Sequence, residues 1–334
     1  MVEHSRQALV GAIGGTYISL AIADIDELTL SNFALLNSAS FKSPMEAIAR
    51  YLKSVPRCPD KVGLAIAGRV DGETAAMSHL PWHFDWNDIR AATGAKHISF
   101  VNEFEALALA VPRMSAYDLL SIKPGKLTKY GTKLAISAGT GVGTAALIWS
   151  GDKWFATSGD SAQATFPAVA ADELDIRTEL TDDGSLMVGD ILTGKGLVAL
   201  YNVLLRSASG GDPKAITPEE ITKSGLSGEN EVAHAALDLM TVWLGRFAGD
   251  VASHFGAVGG VYLSGGLPSN ILNALSADRF LLGFEQAGSR HPRLADVPVY
   301  VIKTGADAGM RGAAVALANS LPVHAASLRR LSAI

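Results

Sequence analysis

Cysteine is almost absent from this chain: Cys58 is the only one among 334 residues. A single cysteine excludes an internal disulfide framework and predicts a reducing, cytoplasmic location. Charged residues are also scarce, at 18%, and no block of basic residues occurs. With a net charge of −5, the chain is not expected to bind nucleic acid.

A membrane anchor is not expected either. The opening stretch MVEHSRQ is charged, and no apolar signal-peptide segment with a small-residue cleavage site follows it. The longest uncharged run, 255–277, is long enough to cross a membrane. Glycine clusters and Pro268 interrupt it, so we interpret it as a helix end, a buried strand, a turn and a helix.

Apolar residues and glycine are abundant. Hydrophobic residues make up 48% of the chain, which supports a large core, and the length predicts about two domains. The first glycine cluster lies in LVGAIGGTYISLAIADID, where Ile18, Leu20 and Ile22 alternate with smaller or polar residues. Alternation is strand periodicity, so 9–26 is predicted to be an antiparallel hairpin around a glycine turn. A dinucleotide-binding turn would open a helix instead.

The same pattern recurs in the middle of the chain. KLAISAGTGVGTAALIW predicts a second hairpin over 133–150, with its glycine turn at 139–143. Two similar hairpins indicate an internal duplication. Strands and helices alternate around them, which predicts an α/β fold with a mixed sheet. Later, ITPEEI predicts a helix capped by Thr217, a long helix follows over about 229–255, and GGVYLSGGLP is a third glycine segment.

These three glycine segments occur in the order seen in the sugar kinase, Hsp70 and actin superfamily. Within it, the chain resembles the bacterial-type glucokinase family over nearly its full length, with further matches at VNEFEALALAVP, AMSHLPWHF and LTGKGLVALY. The resemblance implies an actin-like, ribonuclease-H-like ATPase fold of the hexokinase type, with duplicated α/β halves around a cleft. It implies a small domain of 8–113 plus 305–322 and a large domain of 114–304.

The resemblance also implies an activity. A kinase of this family would phosphorylate a hexose, most simply glucose to glucose 6-phosphate, with ATP and Mg²⁺. Sugar and nucleotide would be the small-molecule partners, and a homodimer is implied by the resemblance alone. Glycine turns suit nucleotide phosphates because their backbone N–H groups form anion-binding nests. The nucleotide-binding residues so implied are Gly11, Gly14, Gly15, Thr16, Gly139, Thr140, Gly141, Gly143, Gly265 and Gly266.

Glu103 stands where the family has its catalytic aspartate, and a glutamate can serve as a general base. A structural alternative is open, because Asn102 can cap the following helix and acidic residues suit its first turn. The resemblance places the sugar-binding residues at Asn102, His79, Asp160 and Gln163. His79 replaces a family asparagine, Asp160 a glutamate and Gln163 a histidine.

Two further departures affect the implied chemistry. Ala12 replaces the family's metal-positioning aspartate, and Gly189 replaces a sugar-binding glutamate. A methyl group offers Mg²⁺ no oxygen, and glycine offers a sugar no side-chain partner. No protein metal site is expected, since His79 and His83 have no third ligand spaced nearby. Two functions therefore stay open: a sugar kinase, and a non-catalytic member that binds nucleotide or sugar.

Overall fold

The structure is a computed structural model that describes residues 6–181, 185–271, 277–288, 292–303 and 305–321. Contacts divide the chain into two units. Unit 1 comprises Met1–Ala110 and Ala306–Ile334, and unit 2 comprises Val111–Gly305.

Unit 1 is built on a five-stranded mixed sheet. Its strands are β1 (Gln7–Ile13), β2 (Tyr17–Asp24), β3 (Leu30–Asn37), β4 (Lys61–Ile66) and β8 (His97–Asn102), in the order β3-β2-β1-β4-β8. β1 pairs antiparallel with β2 and parallel with β4; β2–β3 is antiparallel and β4–β8 parallel. A separate three-stranded sheet contains β5 (Gly68–Asp71), β6 (Thr74–Met77) and β7 (His83–Asp85).

The described helices of unit 1 are α1 (Pro44–Leu52), α2 (Trp86–Thr93), α3 (Glu103–Ala110) and, from Ala306 onward, α11 (Gly305–Ser320). α1 begins where Ser43 accepts the N–H of Glu46 and proline fixes the first turn. Met310, Ala314 and Leu317 of α11 pack against small residues of β1 and β2. The opposite side of the sheet carries the larger core that includes Leu20, Ile48 and Leu64.

Unit 2 is built on a six-stranded sheet. Its strands are β9 (Leu119–Lys123), β10 (Lys133–Ala138), β11 (Val142–Trp149), β12 (Trp154–Gly159), β13 (Val261–Ser264) and β14 (Val299–Ile302), in the order β12-β11-β10-β13-β14-β9. β10 pairs antiparallel with β11 and parallel with β13, as β1 does with β2 and β4. β11–β12 is antiparallel and β13–β14 parallel. The predicted duplication is therefore confirmed in the strand order of the two sheets.

The described helices of unit 2 are α4 (Ala171–Leu180), α5 (Val188–Ile191), α6 (Gly194–Ser209), α7 (Pro218–Leu226), α8 (Glu231–Phe255), α9 (Gly266–Ile271) and α10 (Ala277–Gly288). The predicted capping box of Thr217 and Glu220 begins α7. α8 and α10 approach closely through glycines. A Cβ on Gly245 would lie 2.0 Å from the carbonyl oxygen of Phe280, and one on Gly283 would lie 1.9 Å from that of Val242.

Both predicted hairpins are confirmed, and a strand rather than a helix follows Gly15. The second glycine turn is shorter than predicted because β11 already begins at Val142, which places Gly143 opposite Ser137 in the ladder. The uncharged run contains the end of α8, β13 and α9, and its residues 272–276 lie outside the described chain. Among the described helices, none has the length and apolarity to cross a membrane.

Candidate active site

The parallel strands of unit 1 end side by side. Ile13 of β1 pairs with Ile66 of β4, which pairs with Asn102 of β8. Neighbouring strands lie about 4.8 Å apart, so the residues that follow these three strands lie within about 10 Å of one another. This edge brings together five residues that the sequence singled out: Gly14, Gly15, Thr16, Asn102 and Glu103.

The glycine turn after β1 is tight. The N–H of Gly14 donates to the carbonyl of Tyr17 at 2.9 Å, and a Cβ on Gly14 would lie 3.0 Å from that same oxygen. Within the described chain, the N–H groups of Gly15 and Thr16 donate to no protein acceptor. Two neighbouring N–H groups without a protein acceptor are the donor arrangement that binds an anion.

His79 lies beside this turn. A Cβ on Gly15 would be 3.6 Å from the Cβ of His79. The neighbouring Ser78 donates its N–H to the carbonyl of Ala67, directly after β4, at 3.1 Å. His79 is exposed. The Cβ of His79 therefore lies next to the glycine turn, at the same edge of the sheet.

Asn102 both caps a helix and fixes a neighbouring loop. Its Oδ1 accepts the N–H of Phe104 at 2.9 Å, and its Nδ2 donates to the carbonyl of Gly68 at 2.8 Å. The capping role considered from the sequence is therefore present. An amide has two hydrogens and two lone pairs, so Asn102 keeps one of each for a ligand.

Glu103 is the first residue of α3 and is half-buried. Burial raises the pKa of its carboxyl to about 7. Desolvation has this effect because it disfavours the charged form of an acid. A carboxyl that titrates near neutrality can take up a proton and release it at physiological pH, as a general base must.

Unit 2 forms a second site at the matching edge of its own sheet. β10 and β13 run parallel with Ser137 opposite Ser264, and the turns 139–141 and 265–266 follow them directly. A Cβ on Gly139 would lie 3.3 Å from the nitrogen of Gly266. Gly265 has a φ of +96°, and a Cβ there would lie 2.2 Å from the carbonyl oxygen of Ala138, so glycine is required.

The start of α6 also contacts this turn, since Gly194 donates its N–H to the carbonyl of Gly139 at 3.0 Å. Gly141 and Gly266 face open space, because a Cβ added to either would meet no atom within 4 Å. Thr140 is exposed and directly precedes Gly141 in the turn. The predicted residues Gly139, Thr140, Gly141, Gly265 and Gly266 are thus gathered at one place.

Two predicted glycines lie elsewhere. Gly11 is buried in the middle of β1, where a Cβ would lie 2.8 Å from Leu20 Cδ2 and 2.9 Å from Leu64 Cδ2. Gly143 is buried within β11. Gly11 therefore allows close packing of the sheet, and both glycines lie outside the turns.

Asp160 and Gln163 occupy one exposed turn after β12, where the N–H of Gln163 donates to the carbonyl of Asp160 at 3.0 Å. The hydroxyl of Ser161 hydrogen-bonds that of Thr144 on β11. A Cβ on Gly189 would lie 3.0 Å from the Cβ of Ala162. The turn and Gly189 therefore pack together, and the methyl of Ala162 occupies space beside the position where the family glutamate was expected.

Sequence reasoning missed the buried group that holds the segment after this turn. Glu173, 5% exposed, accepts hydrogen bonds from both terminal nitrogens of Arg246 at 2.8 Å and from the indole of Trp243 at 3.0 Å. It also accepts the N–H groups of Val169 and Ala170. No sequence signal connects Glu173 to Arg246, because they lie 73 residues apart on different helices.

The position of the expected metal-positioning aspartate offers no oxygen ligand. Ala12 carries a methyl group that lies 3.1 Å from the Cβ position of Gly309. Within the described chain, no three His, Cys, Asp or Glu side chains are grouped closely enough to hold a metal ion. A divalent cation prefers oxygen ligands, which Ala12 cannot supply.

Comparison with known proteins identifies the family of this chain. The glucokinase family model matches residues 9–320. The chain belongs to the glucokinase family. A glucokinase from Tolumonas auensis is 31% identical over 320 residues, which cover 95% of this chain and 98% of that relative.

Solved structures of glucokinases share the fold. A glucokinase from an Antarctic psychrotroph superposes with a TM-score of 0.84 at 27% identity, covering 94% of this chain and 99% of that one. A ROK family glucokinase from Streptomyces griseus, solved in complex with glucose and AMPPNP, superposes with a TM-score of 0.64 at 20% identity. It covers 92% of this chain and 98% of its own. The predicted two-domain α/β fold is confirmed by these likenesses.

Proposed function

We propose that this protein is a hexose kinase that transfers the terminal phosphoryl group of ATP to glucose, forming glucose 6-phosphate. One observation carries the proposal: in a chain of the glucokinase family, a carboxyl with a pKa of about 7 lies at the same sheet edge as a glycine turn whose N–H groups at Gly15 and Thr16 have no protein acceptor in the described chain. General-base chemistry and phosphate binding are the two functions that phosphoryl transfer needs there.

Glu103 acts on the acceptor sugar. Its carboxylate accepts the proton of the 6-hydroxyl as that oxygen forms a bond to the γ-phosphorus, and the bond from that phosphorus to the β,γ-bridging oxygen breaks. ADP leaves with the electron pair, and Glu103 then releases its proton to solvent. The hydrogen bonds of Asn102 to Gly68 and Phe104 hold the start of α3, and with it Glu103, in place.

Backbone N–H groups bind the phosphates. Those of Gly15 and Thr16 serve this role in unit 1, and the turns 139–141 and 265–266 serve it in unit 2. The nucleotide brings Mg²⁺ with it, since Ala12 offers no ligand.

Asp160, Gln163, His79 and Asn102 are the proposed partners of the sugar hydroxyls. Each side chain can hydrogen-bond a hydroxyl, whereas Gly189 cannot. The packing of Ala162 beside Gly189 favours a second candidate function, a family member that binds sugar or nucleotide without turnover. Loss of one hydroxyl partner leaves a buried group unpaired and weakens discrimination among sugars.

Turnover with ATP, Mg²⁺ and a panel of sugars tests the proposal. ADP release measured by a coupled assay should be fastest with glucose. Glu103→Gln should lower kcat about 10²–10⁴-fold, the usual contribution of a general base, while ATP still raises the melting temperature. Turnover that survives Glu103→Gln would refute the assigned base. Absence of turnover with every sugar, together with retained binding, would select the non-catalytic function.

The expected homodimer and cytoplasmic location remain predictions that accompany this function. Light scattering of the purified chain should give a mass near twice 34.8 kDa. A mass equal to one chain would contradict the dimer and leave the kinase proposal unaffected.

A further inference from the structure

We infer that Ser38 is a positioning residue that gives the turn 14–16 its affinity for phosphate. Ser38 lies directly after β3, far from the turn in sequence, and is 1% exposed. Its Oγ–H donates to the carbonyl of Gly14 at 2.9 Å, and its N–H donates to the carbonyl of Thr16 at 2.9 Å. One buried serine thus binds two carbonyls of a three-residue turn.

These hydrogen bonds determine which polar groups of the turn remain for a ligand. With the carbonyls of Gly14 and Thr16 bound to Ser38, and the N–H of Gly14 bound to Tyr17, the N–H groups of Gly15 and Thr16 are left without a protein acceptor in the described chain. Carbonyl oxygens repel an anion, and N–H groups attract it. Ser38 therefore holds the turn with two N–H donors available and two of its three carbonyls occupied.

The orientation of Ser38 is itself fixed. Asn37, the residue before it, accepts the N–H of Ala39 through its side chain and so caps the short 3-10 turn at Ser38–Ser40. β2 pairs with β3 up to Tyr17 opposite Asn37, which brings Ser38 to the glycine turn. Ser38 is buried and bonds to the turn, so we place its effect on a ligand in the geometry of the turn.

The inference rests on the proposed function only in that the anion is the phosphate of a nucleotide. It is tested with inorganic tripolyphosphate and ATP as probes, by calorimetric titration of the full chain and of Ser38→Ala, Ser38→Thr and Ser54→Ala. Ser54, which is exposed, is the control for loss of a hydroxyl-to-carbonyl bond, because its hydroxyl donates to the carbonyl of Tyr51 in unit 1 at 2.7 Å. Its loss removes the same type of bond away from the turn.

Ser38→Ala should weaken tripolyphosphate binding roughly tenfold, while Ser54→Ala stays within about twofold of the parent. Ser38→Thr, which keeps the hydroxyl, should restore binding to within about threefold. In turnover assays Ser38→Ala should raise KM for ATP and leave KM for glucose unchanged, a split that general destabilisation does not produce.

Parent-like tripolyphosphate binding by Ser38→Ala would overturn the inference, as would an equal loss in Ser54→Ala. Absence of tripolyphosphate binding by the parent chain would overturn it too. A parent chain that binds tripolyphosphate but phosphorylates no sugar would end the kinase proposal alone, and the Ser38 inference would then stand on the calorimetric comparison.

Discussion

At the scale of single residues, the position of Glu103 was predicted from the sequence, but the raised pKa of its carboxyl depends on packing. The sequence predicted that Asn102 caps a helix and that Glu103 lies in its first turn. Its pKa could not be predicted, since desolvation depends on residues brought together from several elements. The same limit applies to Gly189, whose replacement of a glutamate was visible in sequence while its contact with Ala162 was not.

The raised pKa of Glu103 predicts how turnover depends on pH. Only the deprotonated carboxylate can accept a proton, so kcat should rise with pH through about 7 and then level off. A series of kcat measurements across neutral pH at saturating substrates checks this. The rise should be absent in the residual activity of Glu103→Gln, and persistence of the same midpoint in that variant would assign the titration to another group.

The raised pKa of Glu103 also predicts how the free energy of unfolding changes with pH. The pKa of Glu103 is raised from 4.5 to about 7 by burial, so the folded state holds its proton more tightly than the unfolded state. The stability associated with protonated Glu103 is therefore complete below pH 4.5 and lost as pH rises through 7. Glu103→Gln should stabilise the protein above neutral pH by up to about 3 kcal/mol relative to the parent, and much less at about pH 4.5. Urea unfolding at both pH values measures this, and an equal effect at the two would contradict it.

At the scale of elements, the sequence pattern predicted where the two glycine hairpins lie but not which glycines lie in their turns. Alternation of larger apolar residues with smaller ones located the first hairpin, and recurrence of its pattern located the second, because successive side chains of a strand point to opposite faces. It could not separate glycines that face a ligand from glycines that face the core. Gly11 and Gly143 lie in strands, whereas a side chain at Gly141 meets open space, a difference that depends on neighbouring strands.

Gly141→Val should therefore separate folding from ligand binding. No atom lies within 4 Å of a Cβ at Gly141, and its φ is not positive, so the variant should fold with nearly the parent stability. Its side chain projects where the proposed phosphate would lie, so ATP should no longer raise the melting temperature. Gly159→Val is the matched control, since Gly159 in β12 is equally open. An ATP shift that persists in Gly141→Val would place the nucleotide elsewhere.

The buried pair of Glu173 and Arg246 connects α4 to α8 and holds the segment between the Asp160 turn and α4. Burial alone would raise the pKa of Glu173, but hydrogen bonds from Arg246, Val169, Trp243 and Ala170 outweigh it and hold the pKa at about 2. Glu173→Gln leaves Arg246 buried without its counter-charge and should cost about 3–5 kcal/mol at neutral pH.

Glu179→Gln is the control for that change, because Glu179 and Arg206 are each 44% exposed and their ion pair should contribute at most about 1 kcal/mol. The folded pKa of Glu173 is depressed, so its contribution is present above 4.5 and lost as pH falls toward 2. Urea unfolding should show the gap between parent and Glu173→Gln narrowing over that range. Equal costs for the two substitutions at neutral pH would show that the buried pair contributes no more than an exposed one.

At the scale of the whole molecule, the duplication explains why the candidate residues lie where they do. In each unit a hairpin strand is followed on one side by two parallel strands, so each sheet has one edge where several chain segments leave together. The repeated hairpins were visible in the sequence, whereas the residues that meet at each edge were not. Unit 1 presents Glu103 at its edge, and unit 2 presents two adjacent glycine turns.

Two units with separate cores should unfold as two cooperative bodies. Ile48 belongs to the core of unit 1 and Leu200 to that of unit 2, and both are fully buried. Truncation of such a side chain to alanine costs about 2–5 kcal/mol through lost burial and the cavity left behind.

Ile48→Ala should lower the urea midpoint reported by Trp82 and Trp86, and Leu200→Ala should lower the midpoint reported by Trp243, in variants that keep only those tryptophans. Each substitution should leave the other unit's midpoint within experimental error, since both units exceed the size at which a core folds alone. Equal shifts of both midpoints by either substitution would show that the chain unfolds in one two-state transition.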